Sequence, residues 1–167
     1  MPAIDFFRRV CYNNCILQLR YKFMYFDDIQ IGMSAEIAPA VIEKEKMIDF
    51  ARLYDNIPLH TNEEYAQKSP FGALIAPGVM SFMSVWASYL EVDFFGEELL
   101  AGKSTKIEWM KPVFANDVLH GVATVTNLFK RSERNGLVEI TIHAYNQNGE
   151  EVLSNVTEAI VKCSTQI

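Results

Sequence analysis

The sequence of residues 50–82 is FARLYDNIPLHTNEEYAQKSPFGALIAPGVMSF. It contains two breaks, which are segments that interrupt the helical spacing of apolar residues. The first break is Asp55-Asn56-Ile57-Pro58, where two turn formers precede a proline. Ahead of it, apolar residues recur at helical spacing, which predicts an amphipathic helix over residues 43–54. The face expected to point inward is formed by Met47, Phe50, Ala51 and Tyr54.

The second break is the loop Ser69-Pro70-Phe71-Gly72, which follows a short helix that Thr61 or Asn62 can cap. Beyond it, Val79–Val92 is apolar on every side, which predicts a buried central helix rather than a surface helix. At about 14 residues this helix is too short to cross a membrane. Pro77 suits its start, because the first helical turn cannot pair the N–H group that proline lacks.

Most of the remaining chain has the alternating pattern of β-strands. We expect a first strand over residues 33–42 and four more over residues 103–113, 118–130, 137–145 and 152–161. Asn135-Gly136 and Asn148-Gly149 are typical of tight turns between antiparallel strands. This order predicts an α+β fold of one domain, in which a four-stranded antiparallel meander covers the central helix.

Charge and cysteine content narrow the class of protein. The net charge of −6 argues against a nucleic-acid partner, because phosphate-binding surfaces concentrate basic residues. The chain contains no uninterrupted apolar stretch of signal-peptide or membrane length. Cys11, Cys15 and Cys163 lack the spacing of a metal site and are expected to be reduced. We therefore expect a cytoplasmic protein without a metal, a nucleic-acid partner or a membrane partner.

The first 23 residues differ from the rest of the chain. Four basic residues and one acidic residue give them a net charge of +3, which leaves −9 for residues 24–167 of the total of −6. We expect residues 1–23 to be a leader that is poorly ordered or not native, with a helical arm as the alternative. Residues 24–167 are expected to form the folded domain.

The first break also holds two side chains that can exchange protons. Asp55 and His60 stand in what the pattern predicts to be an irregular loop, where a carboxylate and an imidazole can converge. Imidazole takes and returns a proton near neutral pH, and a carboxylate can orient it or receive a proton from water. Gly78 adds an N–H at the positive end of the central helix, where a substrate carbonyl can approach closely. By residue type alone, however, such a pair is more often a turn former and a surface histidine.

The whole segment resembles the MaoC-like dehydratases, the family that includes the (R)-specific enoyl-CoA hydratases. Their motif is an aspartate, two variable residues, a proline, one further residue and a histidine, which Asp55, Pro58 and His60 match. The family's short helix and helix entry are matched by Glu63, Glu64, Ala66, Phe71, Gly72, Ala76 and Gly78. Residues 107–119, IEWMKPVFANDVL, are similar to a later strand and turn of the family, so the resemblance covers residues 24–163.

The resemblance implies a hot-dog fold, in which a curved antiparallel sheet wraps round one long helix. It implies a hydro-lyase of fatty acid metabolism that adds or removes water at an α,β-unsaturated acyl thioester. Coenzyme A or acyl carrier protein would carry the acyl group, without a separate cofactor. Asp55 and His60 would activate water, and the Gly78 N–H would polarise the thioester carbonyl. Substrate contacts are implied for Ile57, Pro58, Phe71, Gly72, Pro77 and Val79.

The resemblance also implies a homodimer, or a larger assembly of dimers, in which two sheets join and the active sites lie near the interface. Four residues depart from the family's pattern, namely Tyr54, Ile57, Asn62 and Pro77. Ile57 stands where an asparagine is usual, and losing that amide removes a hydrogen bond that would orient the dyad. Two other functions therefore stay open, a hot-dog acyl-CoA thioesterase and a non-catalytic acyl-thioester binding module.

Overall fold

The structure is a computed structural model that describes the backbone of residues 9–12 and 15–18 and all atoms of residues 24–164. Within these residues, seven antiparallel strands form one sheet in the order β2-β1-β3-β5-β6-β7-β4. The strands are β1 (Arg9–Tyr12), β2 (Cys15–Gln18), β3 (Ser34–Val41), β4 (Leu99–Trp109), β5 (Val118–Lys130), β6 (Asn135–Tyr145) and β7 (Glu151–Lys162).

Four α-helices lie between β3 and β4 in the described chain. They are α1 (Lys44–Tyr54), α2 (Pro58–Thr61), α3 (Glu63–Gln67) and α4 (Gly78–Val92). The bounds of α1 and α4 agree with the predicted ones to within one residue. Asn62 caps α3, since its Oδ1 accepts a hydrogen bond from the Tyr65 N–H at 3.0 Å. No helix among the described residues is long and apolar enough to cross a membrane.

The inward face of α1 is narrower than predicted. Met47 and Ala51 are fully buried and Phe50 is partly buried, but Tyr54 is 74% exposed. Tyr54 is the last residue of α1, and its ring packs on that of Phe50 with 4.9 Å between the ring centres. The expectation that Tyr54 points into the core is wrong, because the core does not extend past the last turn of this helix.

The pairing of β4 also differs from the prediction. β5, β6 and β7 form an antiparallel meander as expected, but β4 pairs with β7 at its far side, and β5 pairs with β3. The connection over residues 110–117 therefore carries the chain from one side of the meander to the other. An alternating pattern identifies a strand but does not specify its partner, which is why the predicted four-stranded meander is wrong at β4.

The two Asn-Gly pairs have different roles. Asn148-Gly149 lies in the turn between β6 and β7 as predicted, with Gly149 at a φ of 75°. Asn135-Gly136 instead begins β6, and residues 131–134 form the preceding turn. A Cβ on Gly136 would come within 2.3 Å of a ring atom of Phe26. Glycine is required here by the close approach of an aromatic ring, rather than by a tight turn.

The core lies between the inner face of the sheet and α4. The alternation predicted for β6 is confirmed, since its inward residues Ile140, Ile142 and Ala144 are buried. The helix contributes the buried side chains of Met80, Phe82, Val85 and Tyr89. The predicted central helix is confirmed, although one sheet covers only one face of α4 and the opposite face stays open in the single chain. The side chains that remain 45–52% exposed are those of Val79, Met83 and Leu90.

The described part of the leader belongs to the sheet. The backbones of β1 and β2 pair antiparallel, and β1 also pairs with β3, so the alternative of a helical arm is wrong for these residues. The other leader residues lie outside the described residues. The expectation that residues 1–23 are poorly ordered or not native stays a prediction, as does the extent of the domain over residues 24–167.

Candidate active site

The break after α1 contains one helical turn, α2, where the sequence predicts an irregular loop. Pro58 is the first residue of α2, and the His60 N–H and the Thr61 Oγ1 both donate to the carbonyl of Ile57, each at 3.0 Å. This turn brings the His60 side chain back toward Asp55, the residue that directly follows α1. The helix α1 ends where the sequence predicts. The residues that follow form a helical turn rather than an irregular loop, because two hydrogen-bond donors share the Ile57 carbonyl.

Asp55 and His60 meet where the interior of the protein reaches the solvent. Nε2 of His60 lies 3.4 Å from Oδ2 of Asp55. The imidazole is nearly buried, with 7% of its side chain exposed, whereas 45% of the Asp55 side chain is exposed. The imidazole is therefore held by the protein, while the carboxylate can exchange protons with water.

The other ring nitrogen of His60 is bound by the backbone. Nδ1 donates a hydrogen bond to the carbonyl oxygen of Ile75 at 2.7 Å. Because a carbonyl oxygen only accepts, Nδ1 carries the hydrogen, and the neutral imidazole keeps its lone pair on Nε2. His60 therefore presents a base on the side where Asp55 lies.

Gly78 supplies a different kind of group, a backbone N–H at the start of α4. The N–H groups of a first helical turn have no acceptor within the helix, and the helix dipole makes their surroundings favourable for negative charge. The chain just before Pro77 is pinned by the Ala76 N–H, which donates to the carbonyl of Val113 at 2.7 Å. On the other side, Nε1 of Trp109 donates to the Gly78 carbonyl at 2.9 Å.

A cleft of about 290 Å³ opens beside these groups. Three of the residues that the sequence proposed for the site line it, namely His60, Phe71 and Gly78. The rest of its wall is formed by Ile75, Ala76, Ser81, Trp109, Met110, Lys111, Pro112 and Val113. The structure thus brings the imidazole and the helix N-terminus to one cleft, with the Asp55 carboxylate in contact with the imidazole.

The other proposed substrate contacts do not line this cleft. Gly72 lines a second cleft of about 240 Å³. Pro77 is fully buried, whereas Val79 is 52% exposed and Ile57 is 42% exposed. Pro58 begins α2 and shapes the turn that carries His60. Contacts of these five residues with a substrate stay predictions.

Most of the cleft wall, including Ser81 and Trp109, was not proposed from the sequence as part of the site. Ser81 lies three residues after Gly78 on α4, a spacing that puts both on one helix face, and this was the available signal. Alternation along β4 gives the face of the sheet on which Trp109 lies, but not what it meets there. The contact with Gly78 depends on the folded position of β4.

Comparison with known proteins places this arrangement in a family. The family model described as MaoC like domain matches residues 28–148, which is most of the chain and includes the dyad, Gly78 and Trp109. The chain belongs to the MaoC-like domain family. The family resemblance drawn from the sequence is thereby confirmed, and it is a general hydratase and dehydratase family.

Relatives of this MaoC-like chain include both uncharacterised proteins and enzymes. The uncharacterised protein YdeM of Bacillus subtilis is 27% identical over 142 residues, which are 83% of this chain and 99% of that protein. An (R)-specific enoyl-CoA hydratase of Rhodospirillum rubrum is 30% identical over 104 residues, 62% of this chain and 71% of that enzyme. A solved structure, the monoamine oxidase regulatory protein of Archaeoglobus fulgidus, matches with a TM-score of 0.80 at 28% identity, covering 85% of this chain and 96% of that chain. The sheet around α4 is the predicted hot-dog fold.

Of the four departures from the MaoC-like pattern, two lie at positions that support the fold and two lie at exposed positions. Asn62 caps α3, and Pro77 is fully buried just before α4, so both have a visible role in the fold. Tyr54 and Ile57 flank the segment of Asp55 and are exposed by 74% and 42%. His60 is oriented by the hydrogen bond that its Nδ1 donates to the backbone carbonyl of Ile75, so its orientation by this bond does not depend on these four side chains.

Proposed function

We propose that this MaoC-like protein adds water to, or removes water from, the double bond of an α,β-unsaturated acyl thioester. It would act as a hydro-lyase similar to the (R)-specific enoyl-CoA hydratases. The observation that carries the proposal is the approach of His60 Nε2 to Asp55 Oδ2 at 3.4 Å, with Nδ1 held by the backbone. Two proton acceptors thus stand side by side, and one of them, His60, lines the cleft that Gly78 also lines.

A water molecule can donate one hydrogen to each of these acceptors, which leaves its oxygen lone pairs for the substrate. In hydration, that oxygen forms a bond to the β-carbon, and one O–H bond breaks as its proton passes to the dyad. A proton from the dyad then forms the new C–H bond at the α-carbon, and dehydration reverses these steps. Asp55 and His60 share the two proton transfers, each within reach of the water.

The backbone N–H of Gly78 would stabilise the negative charge that this reaction creates. When water attacks the β-carbon, negative charge develops on the thioester oxygen. A first-turn N–H at the positive end of α4 is suited to receive that oxygen, and the missing side chain leaves the approach open. Acid, base and oxyanion donor are then all groups of the protein, so the proposed reaction needs no cofactor besides the carrier of the acyl group.

Coenzyme A is the proposed carrier, and acyl carrier protein is the alternative. The cytoplasm is the proposed location.

The proposed working form is a homodimer, alone or within a larger assembly of dimers. In the part of the chain that the structure describes, β4 has a strand partner on one side only, and most of its residues are exposed. An unpaired strand edge favours association with another edge. The exposed apolar face of α4 adds a second surface for burial. Joining two β4 edges would place the cleft near the interface, because Trp109 is the last residue of β4.

Loss of crotonyl-CoA absorbance measures the proposed reaction directly. We expect activity in the wild type and a fall of at least about 10²-fold in Asp55→Ala and in His60→Ala, the size typical of a lost general acid or base. Asp49→Ala and His143→Ala are matched controls, because their side chains are 74% and 49% exposed and lie outside the cleft wall. Full activity in both dyad variants would overturn the mechanism.

Release of free thiol, followed with a thiol-reactive dye, separates hydration from thioester hydrolysis, since hydration leaves the thioester intact. Thiol release with the double bond untouched would identify a thioesterase instead. Binding of acyl thioesters across a range of chain lengths, without either reaction, would identify a non-catalytic binding module.

A further inference from the structure

The indole of Trp109 holds Gly78 through two contacts. Its Nε1–H donates to the carbonyl oxygen of Gly78 at 2.9 Å. Its ring also lies so close that a Cβ on Gly78 would come within 2.8 Å of both Cε2 and Nε1. Trp109 lines the same cleft as His60 and remains 50% exposed. It is thus both a wall of the cleft and a clamp on the residue proposed to bind the thioester carbonyl.

This clamp adds to hydrogen bonds that already hold the start of α4. The Pro77 carbonyl accepts from the Ser81 N–H at 3.1 Å and from the Ser81 Oγ at 3.4 Å, which fixes the peptide unit before Gly78. Gly78 itself has more backbone freedom than any other residue type would have there. The chain before Pro77 is anchored by the hydrogen bond from Ala76 to Val113 at 2.7 Å. Trp109 supplies an anchor after Pro77, so Gly78 is held from both sides.

We infer that Trp109 is a positioning residue that keeps the Gly78 N–H directed toward the thioester oxygen, and this inference rests on the proposed hydratase function. A donor stabilises a developing oxyanion best when its direction is set before the reaction, because reorientation during the reaction costs part of the gain. Trp109 acts through Gly78 and not on the reacting atoms.

Trp109→Phe keeps an aromatic wall and removes the Nε1–H donor. Loss of a whole oxyanion donor costs about 10²–10³-fold in kcat, so a donor that is present but free to turn should cost roughly tenfold. KM should change by less than about threefold, because the ground-state contacts with the acyl thioester remain. A side chain that only stabilised the fold would lower the thermal midpoint without this difference between kcat and KM.

A spectroscopic measurement reports on the carbonyl itself. Cinnamoyl-CoA absorbs at longer wavelength when its thioester carbonyl is polarised. Its binding to His60→Ala, in which turnover should be at least about 10²-fold slower, should therefore shift its absorption to the red. The double variant His60→Ala/Trp109→Phe should lose at least about half of that shift at saturating ligand. Phe129→Leu is the control, because Phe129 is 64% exposed near the end of β5 and outside the cleft wall, and it should leave kcat and the shift unchanged.

The fold of the variant is checked separately. If Trp109→Phe lowers the thermal midpoint, site-specific replacement of Trp109 by benzothienylalanine repeats the test. That side chain keeps the shape of indole and puts sulfur in place of Nε1–H. A loss of kcat and of the red shift in a variant with an unchanged midpoint would support the clamp.

Other outcomes separate this inference from the proposed function. An unchanged red shift in the Trp109 variant, whatever its kcat, would overturn the inference and leave hydration standing, because the clamp must act through the carbonyl. A red shift that the wild type shows and the Trp109 variant loses, without any hydration of crotonyl-CoA, would support the clamp and overturn the hydratase function. Absence of a red shift in both wild type and His60→Ala would overturn the inference together with the role of Gly78.

Discussion

Among single residues, Ile75 decides which nitrogen of His60 is available for chemistry. Its carbonyl binds Nδ1 at 2.7 Å and leaves Nε2 to face Asp55. The pair could be predicted only through the resemblance to the family motif, because by residue type alone an aspartate and a histidine in such a segment are more often a turn former and a surface residue. The tautomer of His60 could not be predicted from the sequence, because Ile75 is 15 residues further along the chain and contacts His60 only in the folded protein.

Gly78→Ala should damage the site more than the fold. The new Cβ would come 2.8 Å from two atoms of the Trp109 ring, so the indole or the start of α4 must shift. We expect kcat/KM with crotonyl-CoA to fall at least about tenfold, because the oxyanion donor moves with the helix start. The free energy of unfolding, measured with urea, should fall by about 1–3 kcal/mol from overpacking.

Gly102→Ala is the matched control for this substitution. No atom lies within 4 Å of a Cβ built on Gly102, so its activity and stability should stay close to those of the wild type. Equal behaviour of the two alanine variants would contradict the tight contact between Gly78 and Trp109.

Asn62→Ala tests the cap of α3 and, with it, one departure from the family pattern. Losing the acceptor for the Tyr65 N–H should lower the free energy of unfolding by about 1 kcal/mol. Asn62→Asp keeps an acceptor oxygen, so it should remain near the wild type in urea unfolding. Equal destabilisation by both substitutions would rule out the capping role.

Whether a helix or strand could be predicted from the sequence depended on its length and on how regularly its apolar residues recur. α1 and α4 were located to within one residue, because each presents several turns of apolar spacing. α2 was not predicted, since four residues show no period and the turn depends on two donors to one carbonyl. β4 was recognised as a strand, but its place beside β7 depends on the path of residues 110–117.

The packing of the segment before β3 on β6 can be tested at Gly136. A Cβ there would overlap the ring of Phe26, so Gly136→Ala should lower the free energy of unfolding by about 1–3 kcal/mol. In a Phe26→Leu background the smaller side chain leaves room, and the same substitution should cost less. Additive effects of the two changes in urea unfolding would show that Phe26 and Gly136 do not interact.

For the molecule as a whole, the exposed face of α4 and the edge strand β4 predict an assembly. Light scattering should give twice the chain mass of 19.0 kDa, or a multiple of that dimer mass, for the wild type. Met83→Glu places a charge in the exposed apolar face of α4 and should shift the protein toward the monomer. Ile31→Glu, at a residue that is 57% exposed outside the helices and strands, should leave the mass unchanged. A monomeric wild type at micromolar concentration would contradict the proposed dimer.

The sequence alone was enough to identify the α+β plan, the long helix within the sheet and the segment that carries Asp55 and His60. The spacing of apolar residues, the helix caps and the turn-forming segments are each set by a few neighbouring residues, so they can be recognised in the sequence itself. The partner of β4, the tautomer of His60 and the contact of Trp109 with Gly78 needed the folded chain. Trp109 and Gly78 are 31 residues apart, and such contacts form only through strand pairing and loop closure, which leave no local pattern in the sequence.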